Sequence, residues 1–286
     1  MSRNKGRVGS NNAKETGTQH VADSSEAGAP LAFVVPTEFV DLPTEGRYYP
    51  IGHPLHGKDS IELKQMTAKE EDILTSRTLL KKGVALERVI ESLIVDKSID
   101  PDSLFVGDRN AIIIATRVSG YGSEYRTKVS CPNCGAVTKY AFDLNEANIY
   151  SGEDAETLEI TDHEDGTFTT TLPKTQLDVR FRLLCGRDEK RFANAVTNAR
   201  KKKNAVERTV TSHLASMIVA VNEDTTGEAI NYVINNIPSL DSRHLRLAYK
   251  AASPNVDLSQ HFECNECGHE QEMEVPLGAE FFWPDS

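Results

Sequence analysis

The sequence predicts an α+β fold of two related units, each a helix followed by a zinc-ribbon-like hairpin, behind a disordered amino-terminal tail. Three observations carry that expectation. Strand-like alternation and helix-like periodicity come in separate blocks along the 286 residues, as in α+β domains. Cys131-Pro-Asn-Cys134-Gly135 returns much later as Cys264-Asn-Glu-Cys267-Gly268. A constant offset of 133 pairs Asp108 with Asp241, Ile112 with Leu245, Ile114 with Leu247, Ala115 with Ala248, Val129 with Phe262, Phe142 with Val275 and Leu144 with Leu277.

The cysteines come first because they carry the chemistry. Two thiolates separated by two residues can hold one metal from a tight turn, and a following glycine lets the chain fold back beneath the ion. Cys131, Cys134, Cys264 and Cys267 would together close a structural Zn2+ site, about one ion per chain by the four-ligand rule. The two motifs are far apart in sequence, so other readings stay open. Each could hold its own metal with a histidine, although His261 and His269 flank only the second. A redox pair needs a thiolate activated at a helix start, whereas both motifs lie between strand-like runs. Disulfides fit poorly with five cysteines and no secretory signal. The fifth, Cys185, reads as a small buried apolar residue.

Composition bounds the rest. With 38% hydrophobic residues the chain can build a core. A net charge of −11 argues against nucleic acid and anionic membrane as partners, since both require a positive field. No apolar run reaches the roughly 20 residues of a membrane span. An intracellular, reducing compartment is the expectation. The basic run Arg200-Lys-Lys-Lys203 reads as a solvated helix end.

In chain order, residues 1–30 are polar and form the disordered tail. Residues 31–58, with prolines at 36, 43, 50 and 54, read as an extended strap lying on an apolar surface of this chain or another. The first unit, 59–146, opens with a strand from Ser60 to Met66. Thr67-Ala-Lys-Glu70 is then a capping box starting a helix toward Lys82, with Gly83 as its stop. Leu86, Val89, Ile90, Leu93 and Ile94 mark a second helix. Asp108 is placed as the cap of a third, running through Val118, and Glu124–Ser130 with Thr138–Leu144 form the first hairpin.

The second unit, 147–286, begins in an acidic surface crossing and continues with strands at Thr167–Leu172 and Leu177–Leu184. Arg187-Asp-Glu-Lys190 opens a helix. Val210, Leu214, Met217, Ile218 and Val221 are assigned to another, and Leu240–Ala252 leads into the second hairpin. The terminal Phe281-Phe-Trp283 is a candidate anchor, for the chain's own domain or for a partner. No phosphate loop, nucleophile elbow, His-Glu-x-x-His or dinucleotide motif is present, so no catalytic or cofactor-binding residue is assigned.

Several stretches are similar to one known family. Glu38-Phe-Val-Asp-Leu-Pro-Thr-Glu-Gly-Arg-Tyr-Tyr-Pro50, His53-Pro-Leu-His-Gly57, Met66-Thr-Ala-Lys-Glu-Glu-Asp-Ile-Leu74, Gly120-Tyr-Gly-Ser-Glu-Tyr125 and Phe281-Phe-Trp-Pro284 resemble the baseplate hub assembly proteins of T-even-like contractile-tailed bacteriophages. The resemblance implies a non-enzymatic, late virion-assembly protein. It would act on baseplate hub proteins in the host cytoplasm, as a scaffold or chaperone. A permanent place in the virion tail baseplate is the alternative, and a zinc-dependent or thiol-redox enzyme the remaining one.

Overall fold

A computed structural model describes residues 35–201, 209–276 and 281–282, the side chains of 196–201 excepted. The predicted tail, the first residues of the strap, the side chains of the basic run, Leu277 and Trp283 lie outside the described residues. The elements in chain order are β1 (Thr37–Asp41), β2 (Ser60–Lys64), α1 (Ala68–Thr75), α2 (Arg77–Lys82), α3 (Ala85–Leu93), α4 (Val106–Tyr121), β3 (Glu124–Ser130), β4 (Val137–Asp143), β5 (Asn148–Tyr150) and β6 (Thr161–Asp162). There follow β7 (Thr167–Thr171), β8 (Asp178–Arg182), α5 (Gly186–Lys201), α6 (Thr209–Met217), β9 (Ile218–Val221), α7 (Gly227–Asn236), α8 (Ser239–Ala252), β10 (Asn255–Asp257), β11 (Ser259–Glu263) and β12 (Glu270–Glu274). Helices and small antiparallel sheets mixed in this way make the fold α+β.

The prolines do keep the strap out of helix, but its strand belongs to a hairpin. β1 pairs antiparallel with β2 from Thr37↔Lys64 to Asp41↔Ser60. The long loop between them turns back on the chain's own body, burying Leu42, Tyr48, Tyr49 and Leu55. Its fold is held from a distance. Asp108 accepts from the Thr44 N–H at 3.0 Å, the Thr44 hydroxyl at 2.7 Å and the Tyr49 hydroxyl at 2.7 Å. The Phe105 N–H donates to the Tyr49 oxygen, which leaves that hydroxyl's own proton for the carboxylate. Asp108 is therefore a clamp within the first turn of α4 and not its cap, which is Phe105.

A similar clamp stands in the second half. Asp241, in the first turn of α8, accepts from the backbone N–H groups of Lys174 and Thr175 at 2.8 and 3.0 Å. The segment it holds joins β7 to β8, which are paired antiparallel from Thr167↔Arg182 to Thr171↔Asp178. Both aspartates are fully buried. Each hairpin loop begins with the same dipeptide, Leu42-Pro43 and Leu172-Pro173. Among the offset pairs, Ile112 and Leu245, Val129 and Phe262, and Phe142 and Val275 are buried in both members, whereas Ile114 is buried and Leu247 is 48% exposed.

Thr67 caps α1 as its spacing requires, with Glu70 accepting in return from the Thr67 N–H at 3.0 Å. The Ser92 hydroxyl donates to the same carboxylate and ties α1 to α3. The single helix expected up to Lys82 is broken at Ser76, whose extended ψ of 105° starts α2 afresh. Gly83, at φ +69°, ends that helix in the left-handed conformation where a Cβ would be strained. α3 buries Val89, Ile90 and Leu93 along one stripe.

Two expectations for the second half need correction. The helix placed from Val210 to Val221 ends at Met217, and Ile218-Val-Ala-Val221 forms β9 beside β8. Its β-branched residues fit the pleated edge better than another helical turn. The acidic crossing is more structured than a surface loop, because β5 pairs with β10 and the Tyr150 hydroxyl donates to the Ala251 carbonyl at 2.7 Å.

The start of α5 is tied by charge. Arg182 grips Asp188 through two bonds of 2.8 Å, and the Cys185 N–H and thiol both donate to the same carboxylate. Cys185 is thus half-buried and hydrogen-bonded, not a plain apolar filler. Burial works to raise the Asp188 pKa, but Arg182 and the Cys185 bonds outweigh it and hold the carboxyl below its usual range. A folded-state pKa below the unfolded one stabilises the fold above the ordinary carboxylate range, and the gain is lost as pH falls through the folded value. Asp188→Asn is expected to cost about 1–2 kcal/mol at neutral pH. That gap should begin to narrow as pH falls below about 4 and close only below the depressed folded-state value, which thermal melts of both proteins across pH would show.

Candidate metal centre

The two CxxC turns cap hairpins whose inner faces share one core. In β3 and β4 the inward positions are Tyr125, Val129 and Phe142, and in β11 the corresponding inward residue is Phe262, all buried. Tyr140 packs its ring against Phe142 and Phe262 at centroid distances of 4.9 and 5.1 Å. The buried amide of Gln260 acts as a substitute strand: it accepts from the Asp143 N–H and donates to the Asp143 carbonyl at 2.7 Å. The Tyr140 hydroxyl adds a bond to the His261 carbonyl. Apolar packing brings the hairpins together, and these bonds fix their alignment.

The tips are built alike. The Cys131 N–H donates to the Ala136 carbonyl and the Gly135 N–H to the Cys131 carbonyl, at 2.8 and 2.9 Å. The Cys264 N–H donates to the His269 carbonyl and the Gly268 N–H to the Cys264 carbonyl, at 2.9 and 2.8 Å. Gly135 and Gly268 sit at φ +71° and +65°, a conformation glycine adopts without the steric cost of a side chain.

All four sulfurs lie within 4.8 Å of one another. Cys131 Sγ is 3.8 Å from Cys267 Sγ, and Cys134 Sγ is 3.8 Å from Cys264 Sγ. The first cysteine of each turn thus faces the second of the other, the reciprocal pattern of a local twofold axis. A tetrahedron of sulfurs each about 2.3 Å from zinc has edges of about 3.8 Å, so this donor set fits that ion. Cys131 and Cys264 are buried, while Cys134 and Cys267 are exposed. The Asn133 side-chain amide points at Cys267 Sγ from 3.6 Å.

Without a cation, the Cys134 thiol resists ionisation. The Ala136 backbone acts to lower the Cys134 pKa, but hydrogen bonding with Cys267, burial, and contacts with Cys131 and Cys264 push it up to about 12. Four thiolates this close repel one another unless positive charge sits between them. Neither neighbouring histidine belongs to the cluster of potential ligand atoms, and His269 Nε2 faces Gln271.

The sequence profile of the T4 bacteriophage base plate proteins matches residues 39–283. The chain belongs to this family. The match begins within β1 and spans both hairpins and every later element, so the baseplate relationship covers nearly all of the described fold. No curated protein and no solved structure matches the chain significantly. A baseplate-related structural or assembly role follows for this protein, with other phage baseplate proteins as its associates. Among the described residues, no helix is long and apolar enough to cross a membrane.

Two features of this baseplate protein escaped the sequence reading. Arg117 is wholly buried and donates to the carbonyls of Phe281, Gly122 and Glu124, holding the chain's end against the first hairpin. Phe281 completes the contact by meeting Tyr125 edge-on at 5.2 Å. The aromatic end therefore locks its own domain, at least through Phe281 and Phe282, both buried. Asn133 is the second, hidden in the variable part of a CxxC motif.

Proposed function

We propose that this baseplate protein is a non-enzymatic assembly factor for the baseplate hub, a scaffold held by one structural Zn2+ on Cys131, Cys134, Cys264 and Cys267. The observation that carries the zinc is the four-sulfur cluster, all within 4.8 Å and with two opposite edges of 3.8 Å. Four cysteine ligands leave a zinc no open position for substrate, and a closed site contributes folding energy instead of chemistry. The hub assignment rests on the resemblance of residues 38–125 and the terminal aromatic segment to hub assembly proteins.

The division into a unit at 59–146 and another at 147–286, descended from one ancestor, belongs to the same reading. It is supported by the twin aspartate clamps, the repeated Leu-Pro turns and the reciprocal cysteines. The ion would then join the two copies at their common axis.

Affinity capture of the tagged protein from infected cells in mid-assembly tests the role. Hub subunits should co-purify, and the protein should be scarce in finished virions. Its presence in purified virions at fixed stoichiometry would instead make it a permanent baseplate subunit. Capture without any hub protein would contradict the hub assignment.

A further inference from the structure

The two hairpins are built alike yet carry opposite charge on their outward faces next to the CxxC turns, the exposed pair Glu124 and Asp143 lying at the far end of the first. In the first, Lys128 lies directly across from Lys139; both are exposed, and Val137 beside them is 63% exposed. In the second, Glu263 lies directly across from Glu270, while Glu272 and Glu274 follow on the same face. All four glutamates are exposed. Lys139 and Glu272 occupy corresponding positions in the two hairpins, at the same offset of 133 that relates the cysteines. Neither lysine and none of these four glutamates of the second hairpin is in an ion pair with another described residue.

Like charges placed directly across an antiparallel pair weaken the sheet. Here that occurs in both hairpins, with opposite sign, on strands whose inner faces are already occupied by the shared core. We propose that these faces are the two halves of one contact: the Lys128/Lys139 face of one copy docks on the Glu263/Glu270/Glu272 face of a second copy of this chain. The two surfaces are of one kind, each a face of a two-stranded hairpin ending in a CxxC turn, with seven paired positions in the first and five in the second. Docking sets each lysine pair against glutamates, relieving both repulsions, and Val137 supplies an apolar centre. Such a contact joins unlike surfaces, so it is head-to-tail, and an open array leaves one free face of each sign, at its two opposite ends. Arrays of this kind close into rings or extend, according to the rotation per step. The proposal goes beyond the assembly role and stands without it.

Sedimentation velocity of the full zinc-loaded chain tests it, over a range of protein concentrations. Association should be evident at about 0.1 M salt and lost at about 1 M, where screening acts over only about 3 Å. Lys128→Glu with Lys139→Glu, and separately Glu270→Lys with Glu272→Lys, should each weaken self-association by roughly tenfold or more. These side chains face solvent, and unchanged melting temperatures would verify that both variants fold. The decisive arm mixes the two variants: one carries acidic charge on both faces and the other presents a lysine pair on both, so together they should associate where neither does alone. A monomeric parent at both salts, variants that associate like the parent, or a mixture that stays monomeric would each overturn the proposal.

Discussion

Replacing Cys131 or Cys264 by serine should abolish stoichiometric zinc and lower the melting temperature by roughly 10 °C or more, about 3–5 kcal/mol for a chain of this length. The expectation follows from where the ligands sit. Each hairpin supplies one buried and one exposed sulfur, and removing either buried one leaves three ligands that come from both hairpins. The loss therefore loosens the junction of the halves and not one turn alone. Structural zinc in small domains contributes about 10–16 kcal/mol of apparent binding energy at neutral pH, but here the hairpins are also held by Phe142, Tyr140, Phe262 and Gln260. That packing is why partial destabilisation is expected instead of global unfolding. Calorimetry alongside metal analysis of parent and variants checks both parts, and zinc chelation of the parent should reproduce the shift.

Arg117→Ala should be nearly as damaging, at about 4 kcal/mol. Three carbonyls lose their donor, that of Phe281 in the interior and those of Gly122 and Glu124 where they are partly buried, and a buried acceptor left unpaired costs about 1–3 kcal/mol. The guanidinium fork reaches all three at once, so lysine should not rescue the site. Part of the cost comes from releasing Phe281 and Phe282 from Tyr125 and their neighbours. A chain ending at Glu280 has already lost that part. In the truncated background Arg117→Ala should therefore cost measurably less than in the full chain, a non-additivity that denaturant titration of the four proteins can measure. Equal costs in both backgrounds would show that Arg117 does not hold the carboxyl end.

The features legible in the sequence are those written in local chemistry. The capping box at Thr67, the stop at Gly83, the α3 stripe, the alternation of both hairpins and the glycine after each CxxC all rest on residues within a few positions of one another. Even the pairing of remote cysteines was readable, because the motif is short, specific and repeated. What stayed hidden depends on contacts across the chain. Asp108 reads as a helix cap by position, yet its carboxylate is drawn to Thr44 and Tyr49 far upstream. Nothing local marks Arg117 as buried, because its three carbonyl partners come from beyond its own helix. The switch at Ile218 from helix to strand turns on the neighbouring edge of β8, which no window of local sequence contains. Charge on the hairpins was visible residue by residue, but only the strand register set Lys128 against Lys139 and Glu263 against Glu270.

The shared metal clasp is most directly tested by X-ray absorption at the zinc edge on protein purified without added metal. One zinc per chain, surrounded by four sulfurs at about 2.3 Å, is the predicted result. A shell containing nitrogen or oxygen ligands, two ions per chain, or no zinc at all would contradict a single ion bound by Cys131, Cys134, Cys264 and Cys267.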